Sequence, residues 1–237
     1  MTTDWGQERI LVFAPHPDDE TLGCGGLLSK AKRAGAEILV QFITVGDTAD
    51  ESAKGFSTAE ERYAEIKKVS DHFRWDDWNM ALPGDHFHLR LDTVAQVDLA
   101  QIIERESPIS IARTRPTVVL APHRTSYNQD HRAVAEAVHT ALRPSNTAVR
   151  HHPRLVLSYE EAADQWRSEA VAPPSLIVEL DEDDVDAKLQ AMELYGSQAH
   201  EHPHTRSETT LRSLAVLRGM QAGVALGEGF HVARWLA

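Results

Sequence analysis

Two segments of this chain share one design, a short run of wholly apolar residues that stops at proline and histidine. The first is Ile10-Leu11-Val12-Phe13-Ala14 before Pro15-His16, and the second is Val118-Val119-Leu120-Ala121 before Pro122-His123. A strand with one face in water alternates apolar and polar side chains, so a run with no polar member must be covered on both faces. Such strands belong to parallel sheets layered between helices, which removes β-sandwiches and helical bundles from consideration.

The intervening residues fit that requirement. The strand is expected over Glu8–Ala14, a helix over Thr21–Ala34 closed by Gly35, and a second strand over Glu37–Val45. Strand, helix and strand in this order make a βαβ unit. Ser57-Thr58-Ala59-Glu60 has capping-box spacing and opens a helix that runs to Phe73, whereas Trp75–His88 reads as irregular. Further helices are expected over Val94–Glu106, Asp130–Leu142, Asp181–Tyr195 and Ser207–Ala222, and strands over Arg115–Ala121, Leu155–Tyr159 and Ser175–Leu180. The alternation predicts an α/β fold, a Rossmann-like, doubly wound and mostly parallel sheet in one domain over residues 1–237, with ligands beyond the carboxyl ends of the strands.

Composition narrows the function. With 237 residues and 42% hydrophobic content the chain can bury a sizeable core. No stretch of about 18 apolar residues is present, and no leader is evident, so a soluble, cytoplasmic protein without membrane contact is expected. A formal charge of −12 opposes nucleic acid as a partner. Cys24 stands alone and cannot form an internal disulfide.

Chemistry concentrates where the apolar runs end. Residues 14–20 supply His16, Asp18, Asp19 and Glu20 at the mouth of a buried strand. Four such groups repel one another and lose hydration unless a cation or a water-filled cleft compensates. His16 and Asp19 can bend onto one ion, leaving Asp18 free as a base, and His131 behind the second run can supply a third ligand. Two histidines and one carboxylate are the ligand count of a catalytic rather than a structural zinc site. The same residues also fit a loop that only caps the following helix.

The string A-P-H-P-D-D-E-T-L-G-C-G-G over residues 14–26 strongly resembles the opening motif of the LmbE-like (PIG-L) deacetylases, and N-Q-D-H-R-A-V over 128–134 resembles their second motif. Tyr195–Gln198, His202–Ser207, Arg218-Gly219 and Gly227–Phe230 also look like family segments. The resemblance implies the LmbE-like fold and zinc-dependent removal of an N-acyl group, typically the N-acetyl of an amino sugar or small glycoside. It implies Zn2+ as cofactor, His16, Asp19 and His131 as its ligands and Asp18 as general base.

One position departs from the family pattern. Many members have His-Pro-Asp-His in the second motif, where this chain has Asn128-Gln129-Asp130-His131, and Asn128 can donate a hydrogen bond but cannot titrate. His123 is a candidate replacement, or a strand-end histidine bonded to backbone. Asp130 either orients a histidine or caps the helix, with capping the default. Arg62 resembles a family arginine that reaches substrate hydroxyls or phosphate, against a solvated helix residue. Of the tail histidines, His204 is the candidate donor. The segments Thr48–Phe56 and Trp75–His88, with Trp75 and Trp78, either stack on a sugar ring or pack beneath a loop. Gly23, Gly25 and Gly26 lack dinucleotide-motif spacing and fit close helix packing instead, and Cys24 fits a small buried hydrophobe.

The alternatives are an amidase acting on a larger amino-sugar thiol conjugate, a noncatalytic metal-dependent sugar-binding protein, and a nucleotide-binding oxidoreductase on the same fold. Self-association into a homo-oligomer is left open.

Overall fold

The computed structural model describes residues 3–49, 55–166 and 172–236. In chain order the elements are β1 (Arg9–Ala14), α1 (Asp19–Ala34), β2 (Glu37–Val45), the short β3 (Thr48–Ala49) and β4 (Phe56–Ser57), α2 (Ala59–Phe73) and β5 (Asp77–Pro83). There follow α3 (Gln96–Gln101), α4 (Ile111–Thr114), β6 (Val118–Pro122), α5 (Gln129–Ala141), β7 (Leu155–Tyr159), β8 (Leu176–Leu180), α6 (Glu182–Leu194), α7 (Glu208–Ala222) and β9 (Leu226–Trp235). Among the described residues no helix is long and apolar enough to cross a membrane.

Seven strands form one sheet in the order β5-β2-β1-β6-β7-β9-β8, and β3 pairs with β4 as a separate ribbon. The pairs from β5 to β7 are parallel, while β9 runs antiparallel to both β7 and β8. The fold is therefore the mostly parallel α/β layering expected. The strand order reverses between β1 and β6, because the chain moves outward from β1 through β2 to β5 and then returns to the other side of β1. A crevice opens at such a reversal, beyond the carboxyl ends of the two strands.

Alternate residues of β1 face opposite layers. Ile10, Val12 and Ala14 join a core with α1, α2, α6 and α7, while Leu11 and Phe13 join a second core with α3 and α5. All five are fully buried, and each large apolar side chain so removed from water contributes on the order of 1.5–3 kcal/mol.

Two strands differ from expectation. Trp75–His88 contains β5, an edge strand paired with β2 from Leu39↔Asp77 to Val45↔Pro83. Residues 226–235, with no expected element, form β9 between β7 and β8. The α2 cap lies one residue later than expected: Glu61 N donates to Thr58 Oγ1 at 3.1 Å and Thr58 N to Glu61 Oε2 at 3.0 Å.

α1 is broken at Cys24, whose φ of −148° is not helical. The glycines around it admit close neighbours, since a Cβ at Gly23 would stand 2.1 Å from Tyr159 Cδ2 and one at Gly26 2.4 Å from Leu180 Cδ1. The break exposes backbone groups in the core, and a buried ion pair satisfies them. Lys188 Nζ donates to Leu22 O at 2.8 Å and to Glu228 Oε1 at 2.7 Å. Glu228 in turn accepts from Gly26 N at 3.2 Å and Leu27 N at 2.8 Å. Cys24 is buried beside this junction, with Sγ donating to Glu20 O at 3.1 Å.

Candidate functional site

The loop leaving β1 is pinned to the sheet where Thr44 N donates to Pro15 O at 3.0 Å. Asp18 then takes a φ of 110°, in the left-handed region that a non-glycine residue occupies only at a cost in energy. It sits at the N-cap of α1 without capping the helix through its side chain. The turn is held by Glu20, whose Oε2 accepts from Asp18 N at 3.2 Å and whose Oε1 accepts from Tyr195 Oη at 2.9 Å. Burial raises the Glu20 carboxyl to about 7. The carboxylate of Asp18 is thereby left for the crevice.

The crevice brings together three groups from two strand ends. Asp19 Oδ2 lies 3.3 Å from His16 Nδ1 and 3.2 Å from His131 Nε2, and all three residues are buried. Two donors each about 2.0–2.1 Å from a tetrahedral ion stand about 3.3–3.4 Å apart, so this spacing fits zinc. His16 is oriented from behind, since its Nε2 lies 2.9 Å from Asp130 Oδ2. Asp130 is fully buried and also accepts from Leu91 N at 2.9 Å. A carboxylate can only accept, so Nε2 carries a proton, and Nδ1 is the nitrogen turned toward Asp19, able to give its lone pair to a cation that displaces its own proton. Burial pushes the Asp19 carboxyl upward, but the imidazoles of His131 and His16 outweigh it and hold the group well below the carboxylate range.

Asp18 lies beside this cluster between two guanidinium groups. Its Oδ1 is 3.5 Å from Arg62 Nη2, and its Oδ2 is 3.3 Å from Arg206 Nη1. Oδ2 is buried without a hydrogen-bond partner. Arg62 is itself buried rather than solvated: it donates to Pro17 O and, at 3.1 Å, to Ser197 Oγ. Tyr195 and Ser197 of the Y-G-S-Q segment thus brace Glu20 and Arg62.

These groups line a cavity of about 300 Å³, shared with His88, Tyr127, Asn128, Glu161 and His204 among others. Asn128 is the N-cap of α5, with Oδ1 accepting from Asp130 N at 2.9 Å. Asp130 therefore orients a histidine rather than capping the helix, which corrects the default expectation. His123 does not reach the cavity: its Nδ1 pairs with Thr125 Oγ1 at 2.7 Å, and its ring packs 4.3 Å from that of His231. Trp75 is buried, with its ring stacked on Phe73, Trp78 packs against Phe42 and Tyr63, and neither lines the cavity. Residues 50–54 of the other expected specificity segment lie outside the described residues.

His88, Glu161 and Arg206 are among the cavity residues to which the sequence analysis assigns no individual role. His88 stands edge-on to His16 at 5.4 Å between ring centroids, and burial together with the charges of His16 and Arg62 lowers it to about 4. Glu161 follows β7, with Oε1 3.8 Å from His131 Nδ1. Burial and the neighbouring Asp19 and Asp164 raise its carboxyl well above the ordinary range. Arg206 lies in the H-P-H-T-R-S segment, where the histidines drew attention instead. Glu161 was findable by the rule that exposed the other loops, since Glu160-Glu161 is another acidic pair at the end of a buried strand.

Comparison with known proteins follows the same lines. The family described as PIG-L, GlcNAc-PI de-N-acetylase, matches residues 11–142, more than half of the chain. Diacetylchitobiose deacetylase of Thermococcus kodakarensis is 25% identical over 233 residues, which cover 94% of this chain and 82% of that protein. The crystal structure of a conserved protein from Thermus thermophilus superposes with a TM-score of 0.71 at 24% identity, covering 98% of this chain and 97% of its own. A zinc-inhibited form of teicoplanin deacetylase superposes with a TM-score of 0.72 at 19% identity, covering 94% and 97%. These two structures share the fold.

Proposed function

The chain belongs to the PIG-L (GlcNAc-PI de-N-acetylase) family, and from that premise we propose that it is a zinc-dependent hydrolase that removes an N-acetyl group from an amino sugar or a related small glycoside. The observation that carries this reading is the position of Asp18 Oδ2, buried without a hydrogen bond beside three clustered donors of a metal-ligating kind. His16, Asp19 and His131 would hold the cation. When bound, such a cation supplies Lewis acidity toward an amide carbonyl and toward water.

The residues of the chain then divide the remaining work. Asp18 Oδ2 takes a proton from water as the water oxygen bonds to the acyl carbon. The same carboxyl hands that proton to the nitrogen as the carbon–nitrogen bond breaks, so that acetate and a free amine leave. Arg62 and Arg206 fix the Asp18 carboxylate from its two oxygens. Asp130 keeps the His16 proton on Nε2. Asn128 commits Oδ1 to the helix cap and cannot titrate, so both proton transfers rest on Asp18 in this reading.

The test is amine release from a panel of N-acetylated amino sugars and glycosides by chelator-stripped protein with and without added zinc. Zinc-dependent release supports the reading. Stoichiometric zinc binding with no release from any member overturns it in favour of a larger amide conjugate or a noncatalytic binder.

A further inference from the structure

One guanidinium on the cavity wall keeps donors to spare. Arg206 spends Nη1 on Gln198 Oε1 and on facing Asp18, while among the described residues no acceptor meets its Nε or Nη2. Its position is set from the backbone, where Arg206 N donates to His204 Nδ1 at 3.0 Å. The His204 ring is packed in turn against that of His200, with 4.1 Å between centroids. Two histidines thus hold the turn that presents the guanidinium.

Arg206 also stands at a junction. A groove of about 290 Å³ beside the cavity shares His200 and Arg206 with it, and its lining also includes Glu193, Glu201 and Glu208. Asp18 is one carboxylate between two guanidinium groups, and it is already held by Arg62. In a chain with a formal charge of −12, a guanidinium with donors turned to a cavity is a local positive site.

We propose that the amide substrate carries an anionic substituent, a carboxylate or a phosphate, which docks on Arg206 at the mouth of the cavity. The inference rests on the deacetylase reading of the site and adds to it a class of substrate. A guanidinium with two donor nitrogens, Nε and Nη2, left for a ligand matches two oxygens of such an anion, and charge-assisted bonds of this kind are the strong ones.

The test compares zinc-loaded wild type, Arg206→Gln and Arg206→Lys on N-acetylglucosamine, its 1-phosphate and 6-phosphate, and N-acetylmuramic acid. Wild type is expected to favour at least one anionic member over the neutral sugar by about tenfold or more in kcat/KM. Arg206→Gln is expected to bring that ratio close to one, with Arg206→Lys between. Disturbance of Asp18 affects all substrates alike and cancels in the ratio. The phosphates and the carboxylate separate the two anion chemistries. Amine release that is as fast from the neutral sugar, or a preference that survives in Arg206→Gln, overturns the proposal and leaves the deacetylase reading standing. If no member releases amine, that reading falls, and calorimetry of glucosamine 6-phosphate against glucosamine still decides the docking: about tenfold weaker phosphate binding in Arg206→Gln supports it, and unchanged binding overturns it.

Discussion

Asp130 Oδ2 and His16 Nε2 meet at 2.9 Å, although His16 lies in the loop after β1 and Asp130 in the first turn of α5. The contact fixes which nitrogen of His16 faces Asp19, and so it makes the donor cluster a directed one. Replacing Asp130 with alanine is expected to lower zinc affinity by about 10–100-fold, measured by competition with a chromogenic chelator. Unchanged affinity would show that His16 is oriented by other means.

The proton on His16 has a consequence for pH. Burial pulls the imidazolium down, but hydrogen bonds to Asp130 and Asp19 outweigh it and raise the group to about 9, from an ordinary 6.5. In chelator-stripped protein the protonated ring therefore stabilises the fold fully below about 6.5, and this contribution is lost as pH rises through about 9. Glu20, raised to about 7, acts in the same direction at lower pH. A cation must displace the His16 proton, so its binding strengthens over the same interval. The Tm of stripped protein should fall from about pH 6.5 to about pH 9 while the increment produced by zinc grows. A zinc increment that shrinks with pH would contradict this assignment.

The Lys188–Glu228 pair spans the break in α1 and is almost wholly buried. Removing one partner strands the other charge, at a cost of about 3–5 kcal/mol. Lys188→Met should therefore lower the urea midpoint strongly, whereas Lys67→Met, which breaks an exposed pair with Asp71, should move it little. Equal effects would mean that the break in α1 is stabilised elsewhere.

The sequence was most legible where the physics is local. The apolar runs within β1 and β6 had to be covered on both faces, and the acids and histidines at their ends had to be compensated, which located the crevice. β5 was obscured because its strand is half exposed at the sheet edge and mixes Trp78 with Asn79. β9 was obscured by Gly227 and Gly229, which lower strand propensity, and its place between β7 and β8 is settled only by long-range pairing. The contact of Asp130 with His16 joins residues 114 positions apart and leaves no local mark. His123 misled for the opposite reason: proximity in sequence to the second motif did not bring it into the cavity.

The most direct test of the account pairs two measurements on Asp18→Asn, the zinc content and the rate of amine release from a substrate that the wild type turns over. The account predicts one zinc per chain in both proteins and a rate lowered by about 10²–10⁴-fold in the variant, because Asp18 moves the proton but does not hold the cation. A variant that retains near wild-type turnover, or one that loses its zinc along with its activity, would contradict it.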